Sequence, residues 1–392
     1  MKLVKIKNVC KINPPKEKVD GMVSFLKMED VSVDGRVLNK EEREYSEVST
    51  GFSSFKDKDV LVAKITPCFE NGKGAYVENL LNGIGFGSTE FHVVRADESK
   101  ILSKYLFYHL NSTKFRKYGE VHMTGSAGQK RVPKDYIESY KIFLPSLLEQ
   151  EKIVQILSTW DSAIEKQEQL IEKKKEFKKG LMQRLLSGEV RFKEFNDKWK
   201  EYRYAEILKE VTRNVDFNDE KVYDLISVRR RSGGLFHRES LKGSQIKTKK
   251  LKSVELGEFL ISKMQIVHGA SGLVTKEFKD MYISDSYIAL IPKDFSKLDV
   301  EYLNYLSKTP KFYNQTFRSS YGVHIEKMTF NFELFMKEKI NIPSLEEQKR
   351  IVEVLISADK EIKLLEKELE ALKLQKKGLM QRLLTGEVRV KV

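Results

Sequence analysis

The chain has 392 residues, 40% of them hydrophobic, and a formal net charge of +14. That length allows two domains with their own cores, and the charge favours a polyanionic partner. Two cysteines, Cys10 and Cys68, exclude a disulfide framework and favour a reducing compartment. No run approaches 18 apolar residues, and the opening MKLVKIKNVCKI lacks the apolar core of a signal peptide, so a cytoplasmic protein without membrane contact is expected.

Residues 1–143 form a first block of short β-like runs separated by Gly and Asn. The runs are Asp59-Val60-Leu61-Val62-Ala63, Gly74-Ala75-Tyr76-Val77 and Glu90-Phe91-His92-Val93-Val94. Ser103 to Phe115 reads as a helix with Tyr105, Leu106 and Leu110 on one face. A polar loop, Thr124 to Arg131, follows, and a strand-like Tyr140 to Leu144 closes the block.

Residues 144–188 then read as one long helix, and residues 342–387 repeat it. Pro145–Arg191 and Pro343–Arg389 align without a gap at an offset of 198, with about 26 of 47 positions identical. Ser146 and Ser344 are N-cap residues, and Glu149 and Glu347 complete a capping box in each copy. The second copy carries a heptad seam of Ile351, Leu355, Ala358, Ile362, Leu365, Leu369, Leu372, Leu379 and Leu383, broken at Lys376. The first copy has Ile153, Leu157, Trp160, Ile164, Ile171, Leu181 and Leu185, broken at Gln167, Lys174 and Lys178. Gly188 and Gly386 sit at the helix stops. A helix of about 40 residues is about 60 Å long, beyond what an ordinary globular domain uses. A single seam of this kind would suit a dimerisation coiled coil; two in one chain favour an internal pair.

The second block, residues 189–341, follows the plan of the first with little residue identity. Glu258 to Lys263 parallels Asp59 to Lys64, and Ser286 to Ile291 parallels Glu90 to Arg95. Val300 to Leu306 parallels the Ser103 helix, and Lys339 to Pro343 parallels Lys141 to Pro145. The match of Asp285-Ser286-Tyr287 to Ser88-Thr89-Glu90-Phe91 is weaker. The helices hold 9 Lys/Arg against 8 Asp/Glu and 10 against 9, so roughly +12 of the +14 lies in the blocks. The expectation is one fold used twice, on a duplicated scaffold, with two different surfaces.

Catalytic signatures are missing. There is no Walker A motif, no metal-spaced cluster among the six histidines, and no glycine-rich cofactor loop. Asn13-Pro14-Pro15 resembles the start of an amino-methyltransferase tetrapeptide, but Lys16 stands where an aromatic residue must stack the flipped base. A turn is the plainer reading. No cofactor and no catalytic residue is expected in this chain.

Binding chemistry remains. Arg229, Arg230 and Arg231 precede Ser232-Gly233-Gly234, and arginine suits bidentate contact with guanine. Ser126, Gln129, Lys130 and Arg131 form a similar basic loop in the first block, and Arg318, Ser320, Tyr321 and His324 occupy the corresponding place in the second. Lys64 and Lys263 end matched strands. The plain alternative for each is a solvated charged loop or a structural lysine.

The doubled Pro-Ser-Leu-x-Glu-Gln openings (Pro145 to Gln150, Pro343 to Gln348) are the most specific features of the chain. With them go the doubled Gly-Leu-Met-Gln-Arg-Leu-Leu-[Ser/Thr]-Gly-Glu-Val-Arg endings (Gly180 to Arg191, Gly378 to Arg389). Over the whole chain the sequence resembles the specificity subunit of type I restriction–modification systems. Gly87 to Phe91 and Arg131 to Ile137 resemble segments of that family's target recognition domains, from which Ile283 to Tyr287 and Lys327-Met328-Thr329 depart.

The resemblance implies an α+β fold with two mixed α/β target recognition domains (1–143, 189–341) and two long antiparallel coiled-coil helices, related by a pseudo-two-fold repeat. It implies that each domain reads one half of a split sequence in double-stranded DNA and that the helices space the half-sites. Two methyltransferase subunits would dock, and motor-nuclease subunits can join. S-adenosylmethionine and ATP would belong to those partners. The competing readings are a structural or RNA-binding coiled-coil protein and a solitary methyltransferase or nuclease. No aromatic signature of an RNA-recognition module supports the RNA reading.

Overall fold

The computed structural model describes residues 3–126 and 128–391. The chain divides into two compact units, residues 1–169 with 366–392, and residues 170–365. Each contains one block together with part of both long helices.

In the first unit an antiparallel sheet has the strand order Cys10–Ile12, Phe91–Ala96, Val60–Ala63, Gly74–Tyr76. A second, mixed sheet has the order Glu41–Glu44, Met22–Leu26, Ile84–Gly87, Ser53–Lys56, with Met22–Leu26 parallel to Ile84–Gly87. All four residues of Val60–Ala63 are buried, because the strand is covered on both faces. Val60 and Val62 join the core beneath the helix Ser103–Leu110, while Leu61 joins Phe55, Leu26 and Phe91 on the side of the mixed sheet. Period-two alternation thus feeds two cores from one apolar run.

The second unit repeats this order strand for strand. Its antiparallel sheet runs Leu208–Val211, Tyr287–Pro292, Phe259–Ser262, Ser271–Leu273. Its mixed sheet runs Leu235–Lys242, Val222–Val228, Tyr282–Ser284, Leu251–Ser253. Phe259 and Ile261 enter one core and Leu260 the other. The parallel drawn from sequence between the two blocks therefore holds at the level of topology. The expected helix from Ser103 to Phe115 is instead two, Ser103–Leu110 and Thr113–Val121, because the Ser112 hydroxyl accepts from the Phe115 N–H and starts a new helix.

The two long helices run Leu147–Ser187 and Leu345–Thr385, 41 residues each. They pair antiparallel in both units. In the first, Asp161 meets Lys376 and Glu168 meets Lys373 (3.0 Å). In the second, Lys174 meets Glu361 (2.6 Å) and Lys178 meets Asp359. Ile153, Leu157, Ile164, Ile171 and Leu185 of the first seam are buried, as are Ile351, Leu355, Ile362 and Leu383 of the second. The lysine interruptions of the seam are therefore cross-helix ion pairs, and Gln167 donates to Glu368 across the pair (3.2 Å). Asp161 also accepts from the Tyr108 hydroxyl (2.6 Å), and Asp359 accepts from Tyr305 (2.7 Å).

The repeated openings and endings hold the helices to the blocks. Gln150 accepts from the Leu102 N–H (2.9 Å) and donates to the Lys100 and Pro145 carbonyls; Gln348 does the same with Asp299, Lys297 and Pro343. Arg389 forks onto Glu149 (2.6 and 2.6 Å) in the first unit, and Arg191 onto Glu347 (2.9 and 2.7 Å) in the second. The capping box is thus half realised. The Ser146 and Ser344 hydroxyls cap the Glu149 and Glu347 N–H groups, but the carboxylates serve the arginines. Gly188 and Gly386 take left-handed conformations (φ 76° and 73°) just past the last helical turn, as a stop requires.

Candidate nucleic-acid interface

In the first unit the strand Val60–Ala63 delivers Lys64 to a sheet end where three segments meet. The Lys64 N–H donates to the Glu90 carbonyl (2.7 Å), and its own carbonyl accepts from Val132 (2.9 Å). The Thr66 N–H donates to the Lys130 carbonyl (2.9 Å), and Thr124 and Arg131 bond each other, closing the loop that carries Ser126, Gln129 and Lys130. Those three residues are exposed. Arg131 is committed elsewhere: its guanidinium forks onto Glu90 at 2.8 and 2.9 Å. That bond holds the Glu90 carboxyl below the usual carboxylate range. Lys64 donates to the Thr89 carbonyl (2.7 Å), and burial, with Arg131 nearby, pulls its pKa down. Arg131 and Lys64 thus brace the loop.

Beneath the loop, burial pushes His92 down to about 4, so the ring is neutral. Its Nε2 donates to the Val132 carbonyl (2.9 Å), leaving Nδ1 to accept from the Asn13 amide (3.2 Å). Asn13 also accepts from the Val93 N–H (3.0 Å). The Asn13-Pro14-Pro15 stretch is therefore a strand end that locks His92.

The second unit builds the same corner from other side chains. The Lys263 N–H donates to the Ser286 carbonyl (2.9 Å), and the Lys263 carbonyl accepts from Phe330 (3.2 Å). The weak sequence match of Ser286 to Glu90 is thus a structural equivalence. A tight turn carries Arg229, Arg230 and Arg231 to this corner. Arg231 and Ser232 both adopt positive φ (57° and 56°), and their N–H groups donate to the His268 and Gly269 carbonyls (2.6 and 3.0 Å). Arg229 lies over the Phe236 ring (4.5 Å). Arg230 donates to Gln265 (2.6 Å) and Glu326 (2.8 Å). Arg231 is exposed. A two-strand hairpin, Ser320–Tyr321 with Thr329–Phe330, stands beside the turn and presents Tyr321 and His324 to solvent.

Of the residues singled out from the sequence, one lies elsewhere, and another sits in the hairpin with its hydroxyl turned to its own helix. Arg318 pairs with Glu338 (2.8 Å) and lines a separate cavity with Arg203, Lys311 and Lys337. The Ser320 hydroxyl donates to the Thr316 carbonyl (2.7 Å), finishing the preceding helix. Sequence reasoning missed Glu90, Gln265, His268 and Glu326, which position the basic loops. Nothing in their local sequence marks them, since each acts across a long chain separation. Among the described residues no group of three or more His, Cys, Asp or Glu could hold a metal ion, and both cysteines are free. No helix among them is long and apolar enough to cross a membrane.

Each unit therefore presents a corner of exposed polar and basic side chains on rigid strand ends. Hydrogen-bond donors on fixed backbones suit phosphate and base-edge contact. The specificity subunit of the type I restriction enzyme EcoAI from Escherichia coli is 43% identical over 150 residues, covering 37% of this chain and 25% of that protein. The EcoEI specificity subunit is 39% identical over 155 residues. The chain spans about a quarter of the length of these two relatives (25% and 26%). The putative MjaX specificity subunit of Methanocaldococcus jannaschii is 26% identical over 368 residues, covering 85% of this chain and 79% of that one. The HsdS subunit from Thermoanaerobacter tengcongensis superposes with a TM-score of 0.53 at 18% identity, over 99% of this chain and 97% of its own. A chain from a study of complex assembly in the type I R-M system reaches 0.63 at 18% identity, over 99% and 98%. The family described as "Type I restriction modification DNA specificity domain" matches residues 1–173 and 196–374, and the chain belongs to that family.

Proposed function

We propose that the chain is the DNA-specificity subunit of a type I restriction–modification complex. It reads a bipartite duplex target, with residues 1–143 serving one half-site and residues 189–341 the other. The observation that carries this reading is the matched pair of corners at Lys64 and Lys263. The backbone bonds are the same in both, the exposed side chains differ, and the attached helices repeat their opening and closing motifs with one substitution in each. Two readers joined through a helix pair turn half-site spacing into a geometric readout, and coupling two modest binders raises affinity beyond either alone.

The helices also serve as a docking platform for two copies of a methyltransferase subunit, with motor-nuclease subunits able to join. S-adenosylmethionine and ATP belong to those partners. Gly180 and Gly378 support the docking role. A Cβ placed on either meets nothing within 4 Å, so no packing in this chain requires a glycine there. A mid-helix glycine costs about 1 kcal/mol against alanine. The exposed neighbours Lys179, Gln183 and Arg184 recur as Lys377, Gln381 and Arg382. A bare patch repeated in both copies suits close approach of the same partner twice.

The test is the methylated motif in a host lacking other methyltransferases, with the partner methyltransferase supplied. Exchanging residues 1–143 for another reader is expected to change one half-site and leave the other. A motif changed in both halves, or methylation independent of this chain, overturns the reading.

A further inference from the structure

The hairpin of the second unit is apolar at its tip, where the first unit's loop is small and polar. Val323 is 97% exposed, Tyr321 62% and Ile325 50%. Met264, next to the Lys263 corner that receives the Phe330 N–H, is 46% exposed. The corresponding described residues of the first unit are Gly125, Ser126, Gly128 and Gln129. Single exposed apolar residues need no explanation, but four on and beside one hairpin that Glu326 ties to the arginine turn do.

The cluster is held in place. Glu326, on the hairpin, pairs with Arg230 (2.8 Å) and lies 3.5 Å from His268, tying the tip to the arginine turn. A two-stranded ribbon fits the major groove, and the one apolar group that groove offers is the C5-methyl of thymine. Arg231, exposed at the ribbon's base, would meet a phosphate or a guanine edge in the same groove.

We propose that Val323, flanked by Tyr321 and Ile325, reads a thymine methyl in the half-site served by the second unit. This rests on the reading of the chain as a DNA-specificity subunit. Val323 and Ile325 are short and β-branched, which gives a stiff surface for one methyl. Removing one buried methyl is worth about fourfold in affinity.

The experiment uses the full chain with its methyltransferase partner and duplexes carrying the mapped motif. Uracil replaces thymine, one position at a time, in the second unit's half-site. Wild-type affinity is expected to fall about fourfold at one position, and Val323→Ser is expected to abolish that sensitivity. Val323 is almost wholly exposed, so the variant folds. Unchanged affinity at every uracil position overturns the inference, as does equal sensitivity in wild type and Val323→Ser. Uracil-insensitive binding with permanganate-reactive, unstacked bases overturns it in favour of an apolar wedge between base steps. No preference for the motif over a scrambled duplex overturns the DNA reading itself, a result distinct from the others.

Discussion

Replacing Tyr108 with Phe tests how the first block is fixed to the helices. Tyr108 is 3% exposed, and its hydroxyl donates to Asp161 at 2.6 Å and lies 3.1 Å from Ser158. Burial and Asp161 raise its pKa, so it stays a donor. A hydrogen bond to a charged acceptor contributes about 1.5–3 kcal/mol. The Asp161 side chain is 42% exposed, and solvent screening puts the expected loss near the lower end, about 1–2 kcal/mol. For a unit of roughly 200 residues that is about 3–6 °C in Tm. Tyr105→Phe is the control: its hydroxyl meets the neutral Phe143 carbonyl at 2.9 Å, and about 1 kcal/mol is expected. Calorimetry on Tyr108→Phe, Asp161→Asn and the double variant measures the coupling. Additivity within about 0.3 kcal/mol would refute the link between block and helix.

Arg231→Ala is expected to weaken DNA binding similarly for all sequences and to reduce the salt slope by about one, as a lost phosphate contact does; unchanged affinity at low salt would make it a solvated residue. The bond from Arg389 holds the Glu149 carboxyl below its ordinary 4.5. Its contribution to stability is therefore complete above that value and lost as pH falls through the lower, folded one. Arg389→Gln should flatten the acid limb of urea midpoint against pH. Gly180→Leu with Gly378→Leu should leave DNA binding intact and abolish co-purification of the methyltransferase; retained assembly would remove that face as the platform. Four residues inserted after Leu170 add about 6 Å of helix, nearly two base-pair steps at about 3.4 Å. Methylation mapping should show a changed gap between unchanged half-sites.

What was legible in the sequence followed the range of the interactions. The long helices were readable because Ser146, Glu149 and the heptad seam act within a few residues, and because the repeat doubled every signal. Val300–Leu306 emerged as expected from local periodicity. The mixed sheets were missed: Met22–Leu26, Glu41–Glu44 and Ser53–Lys56 carry no clean alternation, and their strand partners come from across the block. The candidate interface was legible in composition but not in role. Arg131 reads as a ligand-seeking cation until Glu90, 41 residues away, is seen to hold it. Arg318 is diverted by Glu338 in the same manner. Only long-range geometry separates a bracing arginine from one without a carboxylate partner.

The division of the chain also bears on its biosynthesis. Residues 170–365 form one unbroken segment, so the second unit has all its parts once that stretch has left the ribosome. The first unit waits. Its core includes Leu383 and Leu384, and Glu149 finds Arg389 across 240 residues. A nascent chain halted before residue 366 would leave Ile153 and Leu157 without those partners while the later-made unit is complete. Order of assembly then runs against order of synthesis, and the first-made block is the last to be sealed.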